Sequence, residues 1–191
     1  MSALTEHSIL ISPIRIYDSE LLGEIRDTVR EAFGYPVIIS SLLEDITFAY
    51  YPGRSQYHST IILKKLAELA PADILKVIAV TRVDLFIPIL TYVYGEAQLG
   101  GKACIVSTHR LGEDKSTLFT EKKLRERLAK ETVHELGHTF NIRHCKDPFC
   151  TMHFCRSLGD VDRKSGRMCR YCRTILEDEK KRLGENSPPA P

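Results

Sequence analysis

The chain has 191 residues, a formal net charge of +2, 43 % hydrophobic residues and 27 % charged residues. That size suits one compact domain, and the ordinary composition excludes a disordered or low-complexity chain. The small net charge argues against nucleic acid as a partner, and no apolar run reaches the roughly 18 residues needed to cross a bilayer.

Residues 1–7 lack a basic segment and carry Glu6, so they do not form a secretory signal, and a monomer acting in the cytoplasm is expected. Residues 9–16 are a β-branched run and predict a strand. Asp18 then caps a helix with Leu22, Ile25 and Val29 on one face and Gly34 as its stop. Residues 35–39 predict a second short strand. A loop with Pro52, Gly53 and Arg54 leads into a helix over about 59–70, ended by Pro71, and 74–81 predicts a buried strand. This β-α-β-α-β order favours parallel strands with right-handed crossovers. Residues 90–94 and 103–107 flank a glycine-rich stretch and predict a hairpin, so a mixed sheet with one antiparallel strand is expected.

Residues 120–140 are free of proline, contain glycine only at 137, and are rich in good helix formers. Thr120 is the expected cap, with Lys123 where a capping box would carry Glu. Leu124, Leu128, Leu136 and Phe140 fall at core-facing spacing. Within this helix lie His134, Glu135 and His138. Histidines four residues apart share one helix face and reach one metal ion, and Glu135 sits where it can take a proton from water. Asn141-Ile142 should end the helix, because Asn tolerates the left-handed conformation of a sharp turn. After such a turn His144 can reach the same metal. Three ligands and one open position describe a catalytic zinc site.

Cysteines follow at once. Cys145, Cys150, Cys169 and Cys172 read as C-x4-C, a gap, then C-x2-C, the pattern of a closed four-thiolate zinc site. A reducing cytosol would not keep disulfides. Cys155 also lies five positions after Cys150, so spacing alone leaves open which upstream thiol is left out. Cys104 sits in an apolar run and reads as a packed small hydrophobe. Little regular structure is expected between 145 and 168, a stretch too long for an unsupported loop, which a zinc staple would explain. A closing helix is expected over 170–183, followed by a frayed tail over 185–191.

The string His134-Glu135-x-x-His138-x-x-Asn141-x-x-His144-Cys145-x4-Cys150-x-Met152, closed by Cys169-x-x-Cys172, resembles the archaemetzincins, a metzincin branch of zinc metallopeptidases. The resemblance implies a zincin-like metzincin fold of mixed α/β type. Its expected parts are a twisted mixed sheet with an antiparallel edge strand, a long active-site helix and a small zinc-stapled C-terminal lobe. It implies a catalytic zinc on His134, His138 and His144, with Glu135 as general base. It also implies a structural zinc on Cys145, Cys150, Cys169 and Cys172, and a Met-turn at Met152. Most metzincins carry Gly where this chain has Asn141. The expectation is thus one catalytic metalloprotease domain over 1–191, with a lobe over 1–140 ending in the metal helix and a lobe over 141–191. It would hold two zinc ions and hydrolyse peptide or protein substrates. The rival reading is a non-hydrolytic zinc protein that binds peptides or a partner. Tyr92, Tyr94, His109 and His153 are candidates for a second oxyanion donor through chain proximity alone.

Overall fold

A computed structural model describes residues 7–16, 18–113 and 120–185. The expected tail over 185–191 falls, beyond 185, outside the described residues.

The first strand, β1 (Ser8–Ile14), is followed by helix α1 (Ser19–Phe33). The Leu21 N–H donates to the Asp18 carboxylate at 2.9 Å, and Gly34 ends the helix at φ 75°, so cap and stop act as the residues predict. Strands β2 (Val37–Ile39), β3 (Tyr50–Tyr51) and β4 (Gln56–His58) precede helix α2 (Ser59–Leu69). Then come β5 (Ile74–Thr81), β6 (Leu85–Phe86), β7 (Gly95–Ala97) and β8 (Ala103–Ser107). Helices α3 (Glu121–Thr139), α4 (Leu158–Arg163) and α5 (Arg170–Glu185) complete the chain.

The main sheet runs β2-β1-β5-β8-β7. Its first four members are parallel and β7 is antiparallel to β8, as in the expected mixed sheet. Strand β5 is buried along nearly its whole length, as a central strand covered by helices on both faces must be. Leu10, Ile14 and Val77 join Ile62, Leu63 and Leu66 of α2 on one side. Ile9, Ile11 and Ile78 join α1, Leu128, Val133 and Leu136 of α3 and the C-terminal segment on the other. At about 25 cal/mol per Å², two such apolar layers supply the main stabilisation.

Three features differ from the sequence reading. The hairpin is formed by β7, inside the expected glycine-rich loop, with Gly95 opposite Val106. Residues 90–94 instead form an irregular segment, held by Arg54 donating to the Leu90 and Thr91 carbonyls at 2.9 and 2.7 Å. A second sheet, β3-β4-β6, has strands of two or three residues, too short to show periodicity. Helix α4 interrupts the expected loop after 145. A capping box, Ser157 with Asp160, starts it, and the buried Arg127 of α3 anchors it through Asp162 at 2.7 Å.

Helix α3 ends in a left-handed turn at Asn141, φ 60°. The Asn141 N–H donates to the His138 carbonyl at 2.9 Å and the Ile142 N–H to the Gly137 carbonyl at 3.1 Å. This paired closure satisfies the last carbonyls and reverses the chain. Asn141→Gly is expected to change stability by less than about 0.5 kcal/mol, because glycine accepts this φ freely. Asn141→Val should cost about 1–2 kcal/mol in urea unfolding, since a β-branched residue is strained there.

Candidate active site

The turn at Asn141 brings three imidazoles together. The ring centroids of His134 and His138 lie 4.6 Å apart, those of His138 and His144 4.8 Å, and those of His134 and His144 5.3 Å. The first two rings are oriented from behind by backbone carbonyls. His134 Nδ1 lies 2.8 Å from the Thr151 carbonyl and His138 Nδ1 2.7 Å from the Ile142 carbonyl. A carbonyl only accepts, so each Nδ1 must carry the proton and each Nε2 must present a lone pair. Those two Nε2 atoms are 3.2 Å apart. Two lone pairs facing at that distance cannot bond to each other and call for a cation between them. Tetrahedral zinc with Zn–N bonds of about 2.0–2.1 Å sets its ligand nitrogens about 3.3 Å apart, so the donor set fits that ion.

All three histidines have lowered pKa values. Burial holds His134 well below the ordinary range, with the Lys164 ammonium adding to it. Burial also takes His138 down to about 4 and lowers His144. The rings are therefore neutral near pH 7 and free to donate. Glu135, 6 % exposed, has its carboxyl pushed well above the usual range by burial and then by the nearby Glu131 carboxylate. Strand β7 crosses above it. A Cβ on Gly95 would sit 2.6 Å from Glu135 Cγ and 2.6 Å from the Ile105 carbonyl oxygen, so only glycine lets the strand pass so close. Below, a Cβ on Gly137 would sit 2.5 Å from the Met152 sulfur. Met152 is fully buried and lies against α3 at the turn that joins His134 to His138.

A second cluster follows the third histidine without a spacer. One sulfur from each of Cys145, Cys150, Cys169 and Cys172 lies within 4.8 Å of the others. None is in a disulfide. Cys145 and Cys169 sulfurs are 3.8 Å apart, the separation expected for ligands at about 2.3 Å from tetrahedral zinc. The Cys169 N–H donates to Cys150 sulfur at 3.3 Å, which suits a thiolate. Cys155, the thiol that spacing left open, stands apart with its sulfur donating to the His153 carbonyl at 3.5 Å, and burial raises its pKa to about 11.

The sequence of peptidase family M54 is matched by residues 10–178. This chain belongs to that family, the archaemetzincins. It is 37 % identical to the archaemetzincin of Methanocaldococcus jannaschii over 89 % of its own length and 93 % of the relative's. The crystal structure of archaemetzincin from Methanopyrus kandleri superposes with a TM-score of 0.82, at 32 % identity over 94 % of this chain and 98 % of that one. A zinc-dependent peptidase from Methanocorpusculum labreanum gives 0.78 at 28 % identity, covering 88 % and 99 %. The protein is thus a zinc metallopeptidase with the archaemetzincin fold.

Other parts of this archaemetzincin sort the remaining candidates. His109 lies near the carboxylates of Asp84 and Glu113, at 3.9 and 3.8 Å. His153 Nδ1 faces the Cys145 carbonyl at 3.0 Å, between the two clusters. Tyr94 is nearly buried, packed edge-on against Tyr92, and desolvation raises its pKa. The sequence reading missed the Thr151 and Ile142 carbonyls, which carry no residue-type signal. It also missed Gly95, whose signal was glycine at a strand edge. Lys164 is fully buried and lies 2.7 Å from the buried Glu131 carboxylate, a pair joining α4 to α3 behind His134.

The lowered histidine pKa values fix a sign. Between about pH 4 and 6.5 the native metal-free protein binds fewer protons at His138 than the unfolded chain, so stability falls as pH drops through that window. Glu135 works oppositely, since its raised pKa gives stability that is lost as pH rises above the unfolded value. In metal-free Glu135→Gln protein the first effect is isolated. His138 alone should then cost about 3 kcal/mol between pH 6.5 and 4, seen as a thermal midpoint that falls less steeply in His138→Asn, with His134 and His144 supplying the remaining slope.

Proposed function

We propose that His134, His138 and His144 hold a catalytic zinc ion, that Cys145, Cys150, Cys169 and Cys172 hold a structural one, and that Glu135 is the general base of peptide-bond hydrolysis. The observation that carries this reading is the pair of Nε2 lone pairs facing each other at 3.2 Å, with His144 closing the third side. A zinc ion held by His134, His138 and His144 would supply polarisation of a scissile carbonyl and acidify its water.

The protein groups do the rest. Glu135 follows the first ligand directly in sequence, with its carboxyl shielded from solvent. Its raised pKa describes the site without a divalent charge, and such a charge nearby favours the carboxylate, the form that accepts the proton of the attacking water. The same carboxyl then gives that proton to the leaving amine. The outer edge of β7 offers unpaired backbone groups to an extended peptide, which would add as a further strand above Glu135. Met152 takes the part of the Met-turn, packing under Gly137 and so fixing the level of the metal helix. The lobe over 141–191 serves as the scaffold for His144, and both lobes act as one catalytic domain.

Elemental analysis of protein purified without chelator should give about two zinc ions per chain, and chelators should strip the histidine site first because its open position admits them. Glu135→Gln should lower turnover of a mixed peptide pool by roughly 10²- to 10⁴-fold with zinc content unchanged. Cys169→Ser should lose one zinc and a large part of the thermal stability. A zinc content near one in the wild type, or full turnover in Glu135→Gln, would overturn the assignment.

A further inference from the structure

The solvent side of the histidine cluster has a chemical character of its own. The Phe154 ring lies tilted against His144, with centroids 5.0 Å apart, and remains 46 % exposed. It therefore faces solvent beside the histidines and is not a core residue. The Arg156 guanidinium lies over the same ring, 6.0 Å from its centroid. This arginine is exposed, and its side chain has no carboxylate partner among the described residues. The acid nearest to it along the chain, Asp160, is already committed. Its carboxylate accepts from the Arg156 and Ser157 N–H groups, each at 3.1 Å, and from the Ser157 hydroxyl at 2.9 Å, and it meets Arg163 at 3.4 Å.

Arg143 and Lys146 bracket His144 and Cys145 and are exposed as well. The one acid in that turn, Asp147, uses its carboxylate to accept the Phe149 N–H at 2.9 Å. The edge strand carries a carboxylate that is already engaged. On β7, beside Gly95, Glu96 accepts the Thr60 hydroxyl at 2.7 Å and the Ser59 hydroxyl as well. The surface beyond His144 thus presents an exposed aromatic ring and cations that have no carboxylate partner among the described residues.

We propose that Phe154 and Arg156 determine specificity, selecting peptides with an apolar or aromatic side chain next to an acidic residue on the Phe154 side of the scissile bond. The apolar side chain packs on the exposed ring, and the acidic one is drawn to Arg156, with Arg143 and Lys146 adding to the field. This proposal rests on the reading of His144 as part of the catalytic centre.

The test uses zinc-loaded full-length protein and decapeptides identical except for Phe-Glu, Phe-Gln or Phe-Lys at their centre. Cleavage products are identified by mass spectrometry. Binding is read separately by fluorescence anisotropy on zinc-loaded Glu135→Gln protein, which keeps the cleft without turnover. The Phe-Glu peptide should bind roughly tenfold more tightly than Phe-Lys at low salt, with the gap shrinking as salt rises. Acidic residues should be enriched on one side of the cut only. Arg156→Glu should invert the order with zinc content unchanged. Phe154→Ala should lose the aromatic preference, and Phe154→Leu should keep most of it. Equal binding of the three peptides, no binding of any at millimolar concentration, or an unchanged order in Arg156→Glu would overturn the proposal. Cleavage without charge preference would sink this inference and leave the peptidase reading standing. The expected binding order without cleavage would do the reverse.

Discussion

Two neutral imidazoles are fixed so that their lone pairs face each other at 3.2 Å. This arrangement is unfavourable alone and favourable around a cation, and much of the structure serves to hold it. The Thr151 and Ile142 carbonyls set the tautomers. Burial keeps the rings uncharged. The left-handed turn at Asn141 ends α3 early enough for His144 to come back to the same point. The end of α3 is pinned further by the buried Lys76, whose ammonium donates to the Thr139 and Gly101 carbonyls at 2.7 Å each. Gly100 N–H reaches the His138 carbonyl at 2.9 Å. The segment after β7 and the end of α3 are thus fastened together beside the three histidines.

Burying charge in this region is costly, and the chain confines the cost to paired groups. Lys164 and Glu131 neutralise each other behind His134, and Arg127 meets Asp162 at the start of the C-terminal segment. A buried pair of this kind adds little net stability, yet losing one partner leaves an uncompensated charge and is strongly destabilising. These pairs therefore fix where α4 sits on α3 more than how strongly it is held.

Much of this was legible in the residues. Asp18 and Gly34 bounded α1, Thr120 capped α3, and the β-branched run over 74–81 became β5, because each signal is local and strong. The grouping of His134 with His138 follows from helical spacing, and the spacings mark the cysteines as a cluster, with the set of four given by the family resemblance. What stayed hidden depends on contacts distant in sequence. Strand β7 was displaced into a glycine-rich segment because only Gly95 passes over Glu135, a contact across 40 positions. The orienting carbonyls of Thr151 and Ile142 could not be seen at all, since every residue has one. Exclusion of Cys155 from the sulfur cluster was likewise a matter of three-dimensional reach, because its spacing matches that of Cys145 and Cys150.

His144 and Cys145 are neighbours in the chain yet belong to different clusters. Their Cα atoms are separated by a single peptide unit, about 3.8 Å. With both clusters filled as proposed, the two metal equilibria are linked. Fixing Cys145 among its thiolate partners removes most of the torsional freedom that His144 would otherwise surrender on binding. Occupancy of the sulfur cluster should therefore raise the affinity of the imidazole cluster, and thermodynamic reciprocity requires the same factor in return. Filled in that way, the sulfur cluster would work as an allosteric activator with no moving domain, acting through one amide bond.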